Sequence, residues 1–166
     1  MKTRSLSCLK LPLAAFVAIA FLAGCPVSVK KTETVKAVAS TPEEQAQALA
    51  TLRAFLKEVD KEKGETWDYL SPTLKASISQ MTWSAAIGSM KLACGKTLSR
   101  GQAQFACTDE LSGAPKGRYF IFDIDSKFER AALTERVVLS LEKDQWKVAG
   151  YFRTKKISFR DETKKP

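Results

Sequence analysis

From Pro42 onward the apolar positions change their period once. Leu49, Leu52, Leu56 and Val59 recur at spacings of three and four, with Phe55 beside them. That stripe predicts an amphipathic helix running to about Lys61. Its start is marked by Thr41-Pro42-Glu43-Glu44: Thr41 can cap, Pro42 suits the first helical position and Glu44 completes a capping box. Gly64 ends the helix. Ser71-Pro72 repeats the cap-then-proline signal, and Leu74, Ile78 and Met81 follow as a short second helix. Thr82 is the expected cap of a third, with Trp83, Ile87 and Met90 on one side and a stop near Cys94-Gly95.

Beyond Gly95 the period becomes two. Leu98–Cys107 reads as a polar strand, and Ala114-Pro115-Lys116-Gly117 as a turn. Arg118–Phe128 puts Phe120, Phe122, Ile124 and Phe128 on one face, and Tyr119, Ile121, Asp123 and Asp125 on the other. Thr134–Glu142 puts Val137, Leu139 and Leu141 on one face. After a tight connection at Lys143-Asp144-Gln145, Trp146, Val148, Gly150 and Phe152 alternate with Lys147, Ala149, Tyr151 and Arg153. Strict alternation in successive runs with short turns predicts an antiparallel meander with one covered face. Helices first and strands afterwards make the class α+β, with N-terminal helices packed on one face of a four-stranded antiparallel meander sheet. No internal repeat is present.

The helix from Pro42, the stretch Trp67…Leu70-Ser71-Pro72, Trp83, the turn Gly113–Gly117 with aromatics after it, and Trp146-Lys147-Val148-Ala149-Gly150-Tyr151-Phe152 together carry a resemblance. Over roughly Glu43–Arg153 the chain resembles the bacterial lipoprotein family called domain of unknown function 4019. The closing Trp-x-Val-x-Gly-Tyr is similar to the last strand of nuclear-transport-factor-2-like and cystatin-like helix-plus-sheet domains. The resemblance implies a fold and an envelope location but no activity, because none is assigned to the family. Against its usual pattern, the pair Cys94 and Cys107 is a departure.

The N-terminus carries an address. Lys2, Arg4 and Lys10 stand without an acid, the uncharged run Leu11 to Leu22 follows, and small residues precede Cys25. A basic n-region, a short apolar h-region and a small-residue cleavage site make a secretory signal. About a dozen apolar residues span about 18 Å as a helix, too little for a hydrocarbon core of about 30 Å. Leu22-Ala23-Gly24-Cys25 resembles the lipobox of bacterial lipoproteins, which implies cleavage between Gly24 and Cys25 and a diacylglycerol on the Cys25 sulfur. Two or three acyl chains anchor stably where one is marginal. Pro26, rather than Asp, after the cysteine favours the outer over the inner membrane. The expected organisation is a leader over 1–24, a lipidated cysteine and flexible tether over 25–41, one α+β domain over 42–153, and a basic tail over 154–166.

Charge changes the picture by where it sits. The 27 Lys and Arg lose three to the leader, leaving 24 against 18 acids. The surplus falls on the tether, with Lys30, Lys31 and Lys36 against Glu33, and on the tail from Arg153 onward; the body between them is neutral. A neutral body argues against nucleic acid as a partner, which would call for a basic stripe on the fold. Basic flanks beside an anchor suit anionic headgroups, or simply solubility.

The chain has no histidine, which removes His triads, His-ligated metals and imidazole acid–base schemes. No phosphate-cradling glycine loop and no G-x-S-x-G elbow occur. Asp123 and Asp125, two apart in a strand, share one face. A carboxylate-based hydrolase would use them, whereas the ordinary reading is cross-strand pairing with Arg136 or Lys147. Cys94 and Cys107 remain once Cys8 leaves and Cys25 is lipidated, and an oxidising compartment makes a structural disulfide the expectation, worth about 3 kcal/mol; a redox pair usually has two intervening residues. Trp67, Trp83, Phe122 and Trp146 could line an apolar pocket between helices and sheet, or be plain core. No cofactor and no metal is expected. The expectation is therefore a periplasm-facing lipoprotein whose body is a non-catalytic interaction module with an envelope-protein partner; the alternative is a small-ligand binding module.

Overall fold

The computed structural model describes residues 36–155; the leader, the lipidation site at Cys25, most of the tether and the expected tail beyond Lys155 lie outside the described residues, and Thr154 and Lys155 end the last strand instead. Three helices come first: α1 (Pro42–Asp60), α2 (Pro72–Ser77) and α3 (Gln80–Cys94), with a 3-10 turn at Thr66–Tyr69 between the first two. Five strands follow: β1 (Thr97–Arg100), β2 (Gln104–Thr108), β3 (Tyr119–Phe128), β4 (Ala132–Glu142) and β5 (Gln145–Lys155). All pairings between these strands are antiparallel. The class is α+β with the helices leading, and the sheet has five strands rather than the expected four.

The difference lies in the first expected strand. β1 and β2 both pair with β3, Arg100 opposite Ser126 and Gln104 opposite Asp123. Between those pairs three residues face two, so the edge breaks at Gly101–Ala103 and ladder pairing stops there. Gly101 N–H still donates to the carbonyl of Asp125 at 2.8 Å.

α1 starts as its sequence dictates. Glu44 N–H donates to Thr41 Oγ1 at 3.2 Å, and Thr41 N–H donates to Glu44 Oε2 at 2.8 Å. Its stripe Ala48, Leu52, Phe55, Leu56 and Val59 is buried against Phe120, Phe122, Val137, Leu139 and Val148 of the sheet. Burial of such side chains is the main stabilising contribution here, about 1.5–3 kcal/mol for each. α3 begins three residues before the expected position. Ser79 Oγ, not Thr82, is the cap, accepting Thr82 N–H at 3.1 Å. Met81 therefore lies in the first turn of α3 and faces solvent, rather than ending the second helix on its inner side. Gly95 closes α3 at φ +76°, where an added Cβ would also meet the Glu129 side chain at 2.6 Å.

β5 carries the second difference. Val138 opposes Gly150 but Leu139 opposes Val148, so Ala149 is an extra residue, a β-bulge. Upstream of it Trp146 and Val148 point to the helices. Downstream the phase inverts: Tyr151 and Arg153 point inward, and Phe152 is 50% exposed. The expected inward set Trp146, Val148, Gly150 and Phe152 holds only for its first half. On the opposite sheet face the 109–118 loop covers a small cluster of Tyr119, Ile121 and Val138 with Leu111 and Ala114.

Candidate functional site

The face of the sheet under α1 is apolar at one end and ionic at the other. β3 contributes Ser126, β4 contributes Glu135, and β5 contributes Tyr151 and Arg153 through the phase change at Ala149. Arg100 comes from β1, opposite Ser126, and Asp60 closes the group from the last residue of α1. Glu135 has no exposed surface. Its Oε2 accepts from Arg100 Nε at 2.6 Å and Ser126 Oγ at 2.7 Å. Its Oε1 accepts from Tyr151 Oη and lies 3.4 Å from Arg153 Nη2. Arg153 Nε donates to Tyr151 Oη at 2.8 Å, and its guanidinium lies 4.2 Å from the Phe128 ring centre. Arg100 turns its other edge to Asp60, Nη1 to Oδ2 at 2.6 Å and Nη2 to Oδ1 at 2.9 Å, while Thr97 Oγ1 donates to Asp60 Oδ1 at 2.9 Å.

The electrostatics follow from that wiring. Burial pushes the Glu135 carboxyl upward, but hydrogen bonds from Arg100, Tyr151 and Ser126 and the Arg100 charge outweigh it, and the net direction is down. Asp60 is treated the same way: burial raises it, Arg100 and Thr97 lower it further. Burial, then the neighbouring Glu135 charge, pushes the Tyr151 phenol up. Within the cluster both Glu135 oxygens already accept hydrogen bonds from internal donors. The outer members of the cluster reach two surface depressions, one of about 420 Å³ beside Arg100 and Ser126 and one of about 740 Å³ beside Asp60 and Arg153.

A second ion group fixes the start of α1 to the sheet. Arg118 donates to both oxygens of Glu44 at 3.1 and 3.0 Å, to Asp109 Oδ1 at 3.0 Å and to the carbonyl of Ala39 at 2.6 Å. Its hydrogen bonds hold the Glu44 carboxyl below its ordinary value.

The residues singled out from the sequence do not form one site: the aromatic ones share the core, and the aspartates lie on the outer face. Asp123 receives Arg136 Nε and Nη2, each at 2.7 Å, in a two-pronged cross-strand pair on the outer face, and Asp125 accepts from Thr134 Oγ1 at 2.9 Å. Trp83, Phe122 and Trp146 belong to the hydrophobic core, with Trp67 packed against it. Trp83 Nε1 donates to buried Thr66 Oγ1 at 2.9 Å. Trp146 also borders a surface depression of about 400 Å³, lined in part by Gln47, Thr51, Tyr69 and Lys147.

The disulfide expectation is corrected: Cys94 and Cys107 are both free and buried. Cys107 stands opposite Phe120, while the Cys94 carbonyl accepts Arg130 N–H at 3.0 Å, past the other end of β3. That is on the order of 25–30 Å of strand. β1 and β2 run along β3 between the two cysteines, and an extended segment cannot bring its own ends together.

Glu135, Arg100 and Tyr151 are not among the candidate site residues the sequence points to, and Arg153 enters there through the charge of the C-terminal flank. One signal was available: Glu135 shares the parity of Val137, Leu139 and Leu141, so β4 carries an acid on its inward face. Among the described residues no group of three or more metal-ligating side chains is present, and no helix is long and apolar enough to cross a membrane.

Residues 51–151 match the family described as protein of unknown function (DUF4019). No curated protein and no solved structure matches the chain.

Proposed function

The chain belongs to the DUF4019 family, and from that premise we propose that it is a membrane-anchored envelope lipoprotein whose body is a non-catalytic interaction module facing the periplasm. One observation carries the non-catalytic half. Among the described residues the fully buried Glu135 spends both carboxylate oxygens on internal donors and joins β1, β3, β4 and β5. Such a group stiffens a scaffold and leaves no free base for substrate. The anchor half rests on the basic, apolar and small-residue succession ending at Cys25, with the outer membrane as the favoured address.

Labelled palmitate fed to growing cells tests the anchor: incorporation that disappears in Cys25→Ser supports it, and an unlabelled wild-type protein overturns it. Crosslinking of the mature protein in intact cells tests the module. A stoichiometric envelope-protein adduct supports it, and a body that forms none overturns it.

A second reading, a small-ligand binding module, has a specific observation in its favour. The buried indole N–H of Trp146 finds no acceptor among the described residues, and the same side chain borders the depression beside Gln47 and Tyr69. A ligand bearing a carbonyl or carboxylate would supply that acceptor. Loss of binding in Trp146→Phe, with unchanged stability, separates this reading from the first.

A further inference from the structure

α3 is a surface helix with an uncharged outer face. Its 15 residues contain one charge, the half-buried Lys91, whereas α1 carries six among its 19. Trp83, Ile87 and Cys94 face the core. On the opposite side Met81 is 80% exposed and Leu92 is 76% exposed. These two are eleven positions apart, about three helical turns, so they lie on one line with Ala85 and Gly88 between them. An added Cβ at Gly88 would meet nothing within 4 Å, so the stripe stands in open space.

The end of that stripe is cationic. Lys91, Lys96 and Arg130 line one groove with Leu92. Lys91 Nζ donates to the backbone carbonyl of Lys61, and Arg130 Nη1 to that of Leu92. None of the three cations has a carboxylate at ion-pair distance among the described residues. The groove also holds Asp60, Glu62 and Glu129 against the five cations Lys61, Lys91, Lys96, Arg130 and Arg153; Asp60 is engaged by Arg100 and Thr97, and the Glu129 carboxylate by Lys96 N–H at 3.0 Å.

We propose that α3 is a second membrane contact, lying along an anionic phospholipid surface with Met81 and Leu92 among the acyl chains and Lys96 and Arg130 at the headgroups. Exposed apolar side chains on one line of a helix, with cations beside them and no acid on the helix, match an interfacial helix. Charge complementarity selects the bilayer over a second copy of the chain. Two α3 helices set antiparallel would place this cationic end against the start of the other helix, where Ser79 and Gln80 offer no carboxylate. The inference rests on the anchored reading only for keeping the body near a bilayer.

The test reads depth. Full-length protein carrying Leu92→Trp is reconstituted in vesicles of phosphatidylglycerol and phosphatidylcholine, with brominated lipid as quencher. Protein carrying Phe105→Trp, at the β2 edge of the sheet, serves as the reference. The expected result is quenching of L92W well above F105W. It falls to the F105W level in pure phosphatidylcholine, or when Lys96→Glu and Arg130→Glu are added to L92W. Unchanged unfolding midpoints keep folding defects apart from binding defects. Equal quenching at both tryptophans, insensitivity to lipid charge, or copies that crosslink through Leu92→Cys would each overturn the proposal. An absent acyl chain shows separately, as protein that washes off the vesicles in high salt. The same L92W chain added to preformed vesicles then still reads α3.

Discussion

Glu135 and Arg100, 35 residues apart in the chain, meet beneath α1 with Nε and Oε2 separated by 2.6 Å. Arg100 continues to Asp60 at the end of α1, so one guanidinium ties the edge strand to the centre of the sheet and to the helix above it. Taking such charges out of water costs several kcal/mol for each ion, and only close geometry with full hydrogen bonding offsets it.

Removing one partner exposes that balance. Glu135→Leu leaves Arg100 and Arg153 facing each other over a vacated carboxylate site, and the expected loss is about 3–5 kcal/mol. The double change Glu135→Leu, Arg153→Met loses less than Glu135→Leu alone, because Arg100 keeps Asp60 as its partner and the uncompensated Arg153 charge is gone. Urea unfolding checks both; a cost under about 1 kcal/mol for Glu135→Leu would show that the cluster contributes little.

Acid titration follows from the same groups. The Glu135 and Asp60 carboxyls are held below their ordinary values in the folded protein. Their stabilising contribution is therefore complete above the unfolded carboxylate range of about 3.9–4.3 and is lost as the pH falls through the lower folded values. Stability measured downward from neutral pH is expected to decline in that acid window, and less steeply in Glu135→Gln than in the wild type.

The β4–β5 hairpin turns on two residues with positive φ, Lys143 at 48° and Asp144 at 63°. That left-handed pair makes the twist these strands need, yet Lys143 is disfavoured there and Asp144 tolerates it less well than glycine. Lys143→Asn with Asp144→Gly is expected to raise stability by about 1 kcal/mol, read as a higher midpoint in thermal unfolding.

The two buried cysteines make a chemical prediction. A thiol reagent is expected to label Cys94 and Cys107 only after denaturant is added, and a reductant is expected to leave the unfolding midpoint unchanged. Burial pushes the Cys107 thiol up, so it stays protonated and slow to react. A midpoint that drops on reduction would restore the disulfide.

What could be read from the chain was local. The capping box at Thr41 and Glu44, the stripe of α1, the alternation of Phe120, Phe122 and Ile124, and the pairing of Asp123 with Arg136 each depend on residues a few positions apart or directly opposite. The misplaced features depend on distant ones or on close competitors. Ser79 and Thr82 offer the same capping chemistry three residues apart, and only packing of Trp83 and Ile87 decides between them. Plain alternation puts Tyr151 and Arg153 on the outer face, and the structure puts them inward, because the partner strand supplies no residue opposite Ala149. The ionic cluster stays hidden for that reason: of its members only Ser126 and Glu135 lie on strands whose phase is unbroken from their apolar neighbours.

That extra residue makes β5 two strands in terms of information. Before Ala149 the even-numbered positions are interior, and after it the odd-numbered ones are. Each half can vary its own inward pattern without disturbing the other, so the segment that builds the ionic end is free of the constraint that keeps Trp146 and Val148 apolar. The arrangement is also brittle in one direction. Were the bulge lost with the sequence unchanged, so that Val138 paired with Ala149 instead of Gly150, every hydrophobic residue would remain in the protein, yet the downstream half would rotate by a full side, sending Phe152 beneath the helices and the Arg153 charge into water.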